Sequence, residues 1–195
     1  ERYYKLIVAF GLPKMICKIN ITYEDGSSSV VVSDGSWKTT ASAITYSGIF
    51  AGEDYDARLE QEGWHLPGFN DVSWKNALPV KPPAGSMEPE SLYPVTVKER
   101  FTPKKIWQPK PGVFIYDFGQ NASAFVELKV KGKRGQTIKL TPSELLTQDQ
   151  MANQKATGEP YFFSYTLKGE GIETWQPLFS YYGFRYVQVE GAVPD

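Results

Sequence analysis

The sequence is poor in the residues that build metal centres and covalent cross-links. Its 195 residues include a single cysteine, Cys17, and a single histidine, His65. A lone cysteine cannot form a disulfide within the chain, and a zinc site needs several cysteine or histidine ligands. The composition therefore excludes an internal disulfide, a thiolate zinc centre and a site built from several histidines. A serine-histidine-aspartate triad would depend wholly on His65.

An excess of one charge and long apolar runs are also lacking. The 21 basic and 22 acidic side chains leave a net charge of −1, whereas nucleic-acid-binding domains present a basic surface. The longest apolar runs, 6–10 and 30–32, are far shorter than the roughly 20 residues of a membrane-spanning helix. We expect neither nucleic acid nor a membrane span. Because the chain begins at Glu1 and not at Met, removal of an export segment stays open.

Apolar and aromatic residues are abundant and follow the spacing of β-strands. Hydrophobic residues make up 41% of the chain and aromatic residues 14%, a composition that excludes disorder and indicates a buried core. Alternation of apolar and polar residues dominates over helical spacing, so the sequence predicts an all-β fold. The one segment with helical spacing is 143–153, where Leu145 and Leu146 share a side.

Turn residues between alternating segments predict three hairpins. The predicted partners are 16–23 with 30–32, 126–131 with 137–140, and 161–167 with 172–175. A last strand, 184–190, is expected to place Arg185, Val187 and Val189 on one face and Phe184 and Tyr186 on the other.

A proline-rich stretch divides the sequence. Eight of the 14 prolines lie between Pro79 and Gly112, and proline is confined to sheet edges, turns and extended connections. We interpret this stretch as a boundary between two β-domains, 1–100 and 101–195. One strand at 95–101 is predicted within it, and the first domain opens directly in a strand at 3–10.

The acidic segment, residues 52–60, carries four carboxylates and Arg58. Asp54 and Asp56 are two residues apart, so on an extended chain they project to the same side. Such oxygen ligands suit calcium or the vicinal hydroxyls of a sugar, and a glycoside hydrolase needs a pair of carboxyl groups. The alternative interpretation is a solvated strand in which Arg58 pairs with a neighbouring acid.

The aromatic loop, residues 63–74, carries Trp64 and Trp74 with Asn70 and Asp71 nearby. An indole at a loop tip can stack on a pyranose ring while amide or carboxylate groups bind its hydroxyls. The alternative interpretation is that the two tryptophans plug the open end of a sandwich.

Two further polar segments, 116–121 and 181–186, are interpreted as structural. Asp117 is suited to bonding loop backbone groups, and Gly119 to a positive φ angle. Arg185 lies among aromatic residues, which predicts an arginine–aromatic contact at the edge of a core.

Taken together, these motifs resemble those of the bacterial α-L-rhamnosidases. The resemblance covers nearly the whole chain in the order of that family. It rests on the segments 52–60, 63–74, 117–121, 165–169, 175–177 and 182–187. It implies two adjacent antiparallel, jelly-roll-like β-sandwiches. Residues 1–100 correspond to an incomplete amino-terminal domain, and 101–195 to the concanavalin-like domain that follows it.

The resemblance also implies that catalysis takes place elsewhere in a longer parent. In that family an α/α-barrel after the sandwiches supplies the general acid and the base that hydrolyse terminal α-L-rhamnosyl bonds with inversion. Nothing in this chain corresponds to the barrel, so none of its residues is expected to be catalytic. We expect no required cofactor and no activity of the chain alone. A bacterial glycan-degrading parent slightly favours a periplasmic or extracellular location.

In some members the amino-terminal sandwich binds rhamnose with the help of calcium. The resemblance therefore makes Arg58, Trp64 and Asn70 candidate sugar-binding residues, and Asp54 and Asp56 candidate calcium ligands. Besides an inactive region of an enzyme, the sequence leaves two other functions open. The chain is either a calcium-assisted binding module for a rhamnose-containing glycan or a scaffold whose partner is the barrel of the same parent chain. The scaffold function predicts an exposed apolar patch where that neighbour sits.

Overall fold

Short β-strands joined by turns make up the regular structure of the computed structural model, which describes residues 14–82, 85–158 and 160–194. One 3-10 helix, Ala57–Leu59, is the sole helical element of these ranges. None of the described helices has the length and apolar character that a membrane crossing requires. The predicted all-β fold is confirmed.

The strands, in chain order, are β1 Lys18–Thr22, β2 Ser28–Val32, β3 Lys38–Thr39, β4 Ile44–Gly48, β5 Gly52–Asp56, β6 Lys75–Asn76, β7 Lys105–Lys110, β8 Val113–Ala124, β9 Leu128–Lys131, β10 Thr137–Ser143, β11 Leu145–Leu146, β12 Ala152–Asn153, β13 Phe163–Thr166, β14 Ile172–Trp175 and β15 Tyr182–Glu190. Contacts group the described residues into two compact units, one of 42–60 with 97–194 and one of 14–41 with 61–96. A boundary between parent domains near residue 100 stays a prediction.

The larger unit is built on a seven-stranded sheet with the order β4-β5-β13-β10-β15-β8-β7. Every neighbouring pair is antiparallel except β5 and β13, which run parallel. Alternation along β10 directs Ile138 and Leu140 to one face, and their partners across the sheet include Tyr165 and Val189. This face is the apolar side of the sheet.

The core lies between that face and the two-stranded sheet of β9 and β14. Trp175 of β14 and the half-buried Val130 of β9 pack against the buried residues of the large sheet. The cluster's buried members are Ala57, Val126, Ile138, Leu140, Tyr161, Phe163, Tyr165, Leu167, Trp175, Phe184, Val187 and Val189. Two layers closing over one apolar interior are the basic form of a β-sandwich.

The smaller unit contains the predicted first hairpin. Strands β1 and β2 pair antiparallel from Lys18 opposite Val32 to Thr22 opposite Ser28. Gly26 in the connecting turn has φ +81°, and the Asp25 carboxylate accepts hydrogen bonds from the backbone and the hydroxyl of Ser27. This hairpin is confirmed.

The other two predicted hairpins are wrong. Strand β9 pairs with β14, and β10 pairs with β13 and β15. The turns at 132–135 and 168–171 do reverse the chain, but each connects one layer of the sandwich to the other. Turn residues indicate that the chain reverses its direction. They do not determine which strand it then pairs with, because that depends on the packing of the whole core.

The 143–153 segment, the one segment with helical spacing, is not a helix and forms the small hairpin of β11 and β12. The Thr147 hydroxyl accepts from the backbone N–H of Met151, and the Thr147 N–H donates to the Met151 carbonyl. Gln150 has φ +57°. A hydroxyl that bonds the local backbone competes with helix formation.

Within the described residues no strand lies between β6 and β7, so the strand predicted at 95–101 is wrong. Val95 and Val97 are both exposed, and the surrounding prolines remove the backbone donors that a strand needs. The strand predicted at 3–10 lies outside the described residues.

The last strand, β15, is confirmed, but its predicted faces are wrong. Phe184, Val187 and Val189 belong to the same buried cluster, although strict alternation separates Phe184 from the two valines. The register with β8 shifts between Phe184 and Tyr186. A bulge of this kind moves subsequent side chains to the other face.

Candidate functional site

The acidic segment enters the large sheet as β5, between β4 and β13. Asp54 lies opposite Ser164, and Asp56 opposite Thr166, in the parallel pairing with β13. The strand ends at Asp56, whose carboxylate accepts from the backbone N–H of Arg58 at 3.1 Å and so caps the 3-10 helix. The segment is therefore part of the sheet and not a free loop.

Asp56 and Arg58 form a bidentate ion pair. Arg58 Nε lies 2.8 Å from Asp56 Oδ1, and Arg58 Nη2 lies 2.7 Å from Asp56 Oδ2. Hydrogen bonding from Arg58 lowers the pKa of Asp56. The interpretation of local pairing between Arg58 and an acid is confirmed.

Asp54 also has a partner, since its carboxylate accepts a hydrogen bond from the Ser164 hydroxyl. Calcium takes six to eight oxygen ligands. In the described ranges no group of three or more histidine, cysteine, aspartate or glutamate side chains is placed to hold a metal ion. As arranged here, the two aspartates do not fit a calcium site, because both oxygens of Asp56 are taken by Arg58. Their assignment as calcium ligands stays a prediction.

The opposite side of β5 carries a buried carboxylate that sequence reasoning missed. Glu53 has no exposed surface. Its carboxylate accepts from the backbone N–H of Leu178 at 3.3 Å and of Phe179 at 3.4 Å. Burial raises the pKa of Glu53 despite these hydrogen bonds. The sequence did contain a signal for this burial. Alternation along the strand places Glu53 on the same side as Tyr55, away from Asp54 and Asp56.

The neighbouring Gly52 fixes how closely β5 approaches the rest of the sheet. It has φ +91°, and a Cβ added there would overlap the carbonyl oxygen of Phe162. The Phe162 N–H donates to the Ala51 carbonyl at 3.4 Å. Glycine is required here both for the backbone angle and for the close approach.

A polar cleft of about 310 Å³ opens near the end of the acidic segment, lined by Glu60, Tyr165, Lys168, Glu170, Ile172, Glu173 and Thr174. Glu60 accepts from Tyr55 Oη at 3.0 Å and from Lys168 Nζ at 2.9 Å. Burial, reinforced by the hydrogen bond to Glu60, raises the pKa of Tyr55 to about 12. Two of the charges that line this cleft, Glu60 and Lys168, form an ion pair with each other.

Glu173 in the same cleft is a structural clamp. It accepts from Tyr165 Oη at 2.8 Å and from the backbone N–H groups of Lys168 and Gly169 at 3.0 and 2.8 Å. Burial alone would raise the pKa of Glu173, but these hydrogen bonds outweigh it and lower the pKa. The Glu173 side chain therefore holds the 168–171 turn as an ionised carboxylate.

The contacts predicted for segments 116–121 and 181–186 are present. Asp117 accepts from the backbone N–H of Gly119 at 2.7 Å, and Gly119 has φ +84°. Arg185 Nε and Nη2 each lie 2.8 Å from the Asp117 carboxylate. The guanidinium also lies 4.9 Å from the ring centre of Tyr186.

The aromatic loop belongs to the smaller unit, and its two tryptophans differ in their packing. Trp64 is 62% exposed and meets the His65 ring edge-on at 5.9 Å. Trp74 packs against Phe69 at 5.5 Å. Trp64 therefore plugs no core, contrary to the second interpretation, whereas Trp74 is packed.

The predicted sugar-binding residues do not fall in one unit. Asn70 is exposed, and its side-chain oxygen accepts from the backbone N–H of Val72 at 3.2 Å. Trp64 and Asn70 lie in the smaller unit, whereas Arg58 lies in the larger. The assignment of these three residues to a sugar site stays a prediction.

Comparison with known proteins accounts for both halves of the chain. Residues 2–99 match the α-L-rhamnosidase N-terminal domain, and residues 107–195 match the bacterial α-L-rhamnosidase concanavalin-like domain. The chain belongs to the bacterial α-L-rhamnosidase family. The predicted family is confirmed.

Relatives of this chain are much longer than 195 residues. An α-L-rhamnosidase of Streptomyces avermitilis is 37% identical over 187 residues, which are 92% of this chain and 18% of the relative. The solved structure of an α-L-rhamnosidase from Dictyoglumus thermophilum has 39% identity and a TM-score of 0.88, covering 92% of this chain and 21% of that one. A Streptomyces avermitilis α-L-rhamnosidase solved in complex with L-rhamnose has 33% identity and a TM-score of 0.86, covering 92% and 18%. The chain thus spans about a fifth of the length of these relatives.

A second feature that sequence reasoning missed is the 178–181 segment, which precedes β15. Leu178, Phe179 and Tyr181 are 61%, 69% and 54% exposed, whereas Ser180 between them is buried. No motif in the sequence distinguishes these residues from core residues. Their exposure follows from the position of the segment between β14 and β15, outside the two layers.

Proposed function

We propose that this chain is a non-catalytic β-sandwich region of an α-L-rhamnosidase. Its longer parent hydrolyses terminal α-L-rhamnosyl residues from glycosides or polysaccharides. The observation that carries the proposal is the pair of matched domains: they account for residues 2–99 and 107–195, yet the chain corresponds to about a fifth of its relatives. The catalytic barrel implied by the resemblance would lie in the remaining length.

The carboxyl groups of the chain support this proposal. An inverting glycosidase needs a general acid with a raised pKa that reaches the glycosidic oxygen, and a second carboxylate far enough away to admit a water molecule. In the described part of the chain, Glu53 is the one carboxyl group with a raised pKa. It has no exposed surface and is directed at backbone N–H groups, so it cannot protonate a substrate.

Three partly buried carboxyl groups have the opposite electrostatics. The pKa values of Asp56, Asp117 and Glu173 are lowered, and each carboxylate is held by an arginine or by backbone N–H groups. An acid with a lowered pKa is ionised at neutral pH and has no proton to donate. These groups stabilise turns and strands.

The test compares the purified chain with its longer parent on an aryl α-L-rhamnoside. We expect the parent to release the aryl alcohol and the chain to release none. Turnover by the chain that disappears in Asp56→Ala would contradict the proposal. An inactive parent would contradict the assignment of rhamnosidase activity to it.

The exposed Trp64 favours a second candidate function, rhamnose binding through the aromatic loop. The exposed indole of Trp64 offers a stacking surface, and exposed Asn70 of the same loop offers an amide. Such groups are typical of sugar sites. A relative was solved in complex with L-rhamnose. Arg58, Asp54 and Asp56 lie in the larger unit, and calcium binding by the two aspartates would require the Asp56–Arg58 pair to open.

Calorimetric titration of L-rhamnose tests this second candidate. Trp64→Ala should abolish binding, whereas the matched control Leu66→Ala, which removes another exposed side chain of the same loop, should not. Binding that is abolished by a chelator and restored by calcium would support the metal-assisted form. Absence of binding with calcium and without it would contradict the candidate.

A further inference from the structure

A second cleft, the Lys75 cleft, has a volume of about 510 Å³ and lies in the smaller unit, where it is lined by Thr39, Thr40, Ala41, Ser73 and Lys75. Thr39 of β3 lies directly opposite Lys75 of β6 in an antiparallel pair. Residues opposite each other in such a pair project to the same face. The hydroxyl group of Thr39 and the ammonium group of Lys75 therefore lie on one face of this pair.

The four polar side chains that line the Lys75 cleft have no partners in the described part of the chain. Neither a hydrogen bond nor an ion pair engages the three hydroxyl groups or the ammonium group. Polar neighbours outside the cleft do have partners, since Asn70 accepts from the backbone N–H of Val72 and Asn76 donates to the Gly35 carbonyl at 3.2 Å. The cleft thus gathers hydrogen-bonding groups that the fold itself does not use.

The Lys75 cleft carries charge of one sign. Lys75 is the one charged residue among the five that line it, and no lining residue is acidic. An ammonium group only donates hydrogen bonds, whereas a hydroxyl group donates or accepts. The cleft therefore suits an oxyanion beside the ammonium group and ligand hydroxyls beside the threonines and the serine. In the cleft of the larger unit, by contrast, Lys168 is already paired with Glu60.

Local packing holds the backbone that carries two of the lining residues. Trp74 stands between Ser73 and Lys75, and its ring packs against Phe69 with centres 5.5 Å apart. The backbone N–H of Trp74 donates to the Asp71 carbonyl at 2.9 Å. A site whose backbone is fixed before the ligand arrives loses less conformational entropy on binding.

We infer that the Lys75 cleft binds an acidic sugar, with the carboxylate of the sugar against Lys75 and its ring hydroxyls against Thr39, Thr40 and Ser73. The volume of the cleft lies within the range of small-molecule sites, roughly 300–1,000 Å³. A sugar is favoured over a bare carboxylate because three hydroxyl groups line the cleft beside the single charge. The inference goes beyond the proposed function, which concerns rhamnosyl groups, and it does not depend on activity of the parent.

Calorimetric titration of the 195-residue chain at low ionic strength tests the inference, with D-glucuronate as the probe and D-glucose and acetate as comparisons. We expect saturable binding of glucuronate alone. Lys75→Gln should weaken this binding about ten-fold or more, because a hydrogen bond to a charged group is lost. The matched control is Lys38→Gln, since Lys38 lies opposite Asn76 in the same strand pair and does not line the cleft. It should leave the affinity unchanged.

A second variant, Ser73→Ala, removes one hydroxyl group and keeps the charge. It should weaken glucuronate binding about three-fold or more, and an unchanged affinity would contradict the assigned contact with the ring hydroxyls.

Three other results overturn the inference. Failure of glucuronate to bind shows that the cleft is not a site for acidic sugars. Acetate that binds as tightly as glucuronate shows a simple anion site, and an equal loss in Lys38→Gln shows unspecific attraction. Trp64→Ala, the variant that tests rhamnose binding, keeps the Lys75 cleft and should still bind glucuronate. Failure of the rhamnose candidate and failure of this inference are therefore distinguishable.

Discussion

The acidic segment 52–60 and the aromatic loop 63–74 are neighbours in the sequence, and both carry side chains typical of a sugar site. In the acidic segment Asp54, Asp56 and Glu53 each have a protein partner. In the loop, Trp64 is 62% exposed. A cluster of charges is thus weaker evidence for ligand binding than one large apolar side chain that the fold leaves uncovered.

The physical cause of the difference is the position of each segment. Strand β5 has a neighbouring strand on both sides, so its backbone is held within the sheet. Glu53 is buried and has a partner within the protein, as buried polar groups do. The loop belongs to a unit whose strands pair only in twos within the described residues. Its side chains have less structure to pack against.

The largest effect is expected from Gly52→Ala, which tests whether the acidic segment is a fixed part of the sheet. The added methyl group overlaps the Phe162 carbonyl at a positive φ, so we expect a loss of more than about 3 kcal/mol in the free energy of unfolding. The matched control is Gly26→Ala, where φ is +81° but nothing lies within 4 Å, and about 1 kcal/mol should be lost. Urea unfolding measures both free energies. Equal losses for the two variants would contradict the claim that the acidic segment is a fixed part of the sheet.

The next largest effect is expected from Glu53→Ala. It leaves the N–H groups of Leu178 and Phe179 without their acceptor and opens a small cavity, at a cost of about 2 kcal/mol. Hydrogen exchange at these two amides should become faster while exchange in β10 stays slow. Unchanged exchange at Leu178 would show that Glu53 does not hold the 178–181 segment.

A smaller effect concerns pH, and its sign differs between two carboxylates. Burial raises the pKa of Glu53 above its ordinary 4.5, so the stability tied to its neutral form is complete below that pH and is lost as pH rises through the raised pKa. Urea unfolding should therefore show wild type losing stability relative to Glu53→Gln as pH rises.

Asp117 provides the matched control. Hydrogen bonding from Arg185 lowers the pKa of Asp117 below 3.8, so its contribution is present at neutral pH and is lost as pH falls. Wild type should lose its advantage over Asp117→Asn on acidification. Parallel pH profiles for the two variants would contradict the assigned environments.

The smallest effect on stability is expected from Trp64→Ala. Because the indole is mostly exposed and meets the His65 ring edge-on, the free energy of unfolding should change by less than about 0.5 kcal/mol. Thermal unfolding measures this directly. A large loss of unfolding free energy would mean that Trp64 has a structural role. The aromatic loop would then not differ from the acidic segment in how its side chains are held.

Local features of the fold could be predicted from the sequence. The hairpin of β1 and β2 follows from a short turn with glycine between alternating segments, and β15 follows from its own alternation. Strands β9 and β10 are also close in sequence, but β9 pairs with β14, 41 to 47 residues away, and β10 pairs with β13 and β15, 23 to 51 residues away. Pairing over such distances depends on the whole core, which no local pattern contains.

Contacts between close neighbours in the candidate site could be predicted from the sequence, whereas contacts between distant residues could not. The pairing of Arg58 with Asp56 is a contact over two residues and follows from the local sequence. The pairing of Glu53 with Leu178 spans 125 residues and requires the complete sheet. The bulge between Phe184 and Tyr186 likewise depends on an irregularity in the facing strand β8.

The most direct test of the central claim is hydrolysis of an aryl α-L-rhamnoside by the pure 195-residue chain at high protein concentration. The two matched domains account for nearly the whole chain, and the chain spans about a fifth of its relatives. The account therefore predicts no release of the aryl alcohol above the buffer blank, in wild type and in Asp56→Ala alike. Catalytic turnover by wild type that persists through successive purification steps and is lost in Asp56→Ala would contradict the claim that this region is non-catalytic.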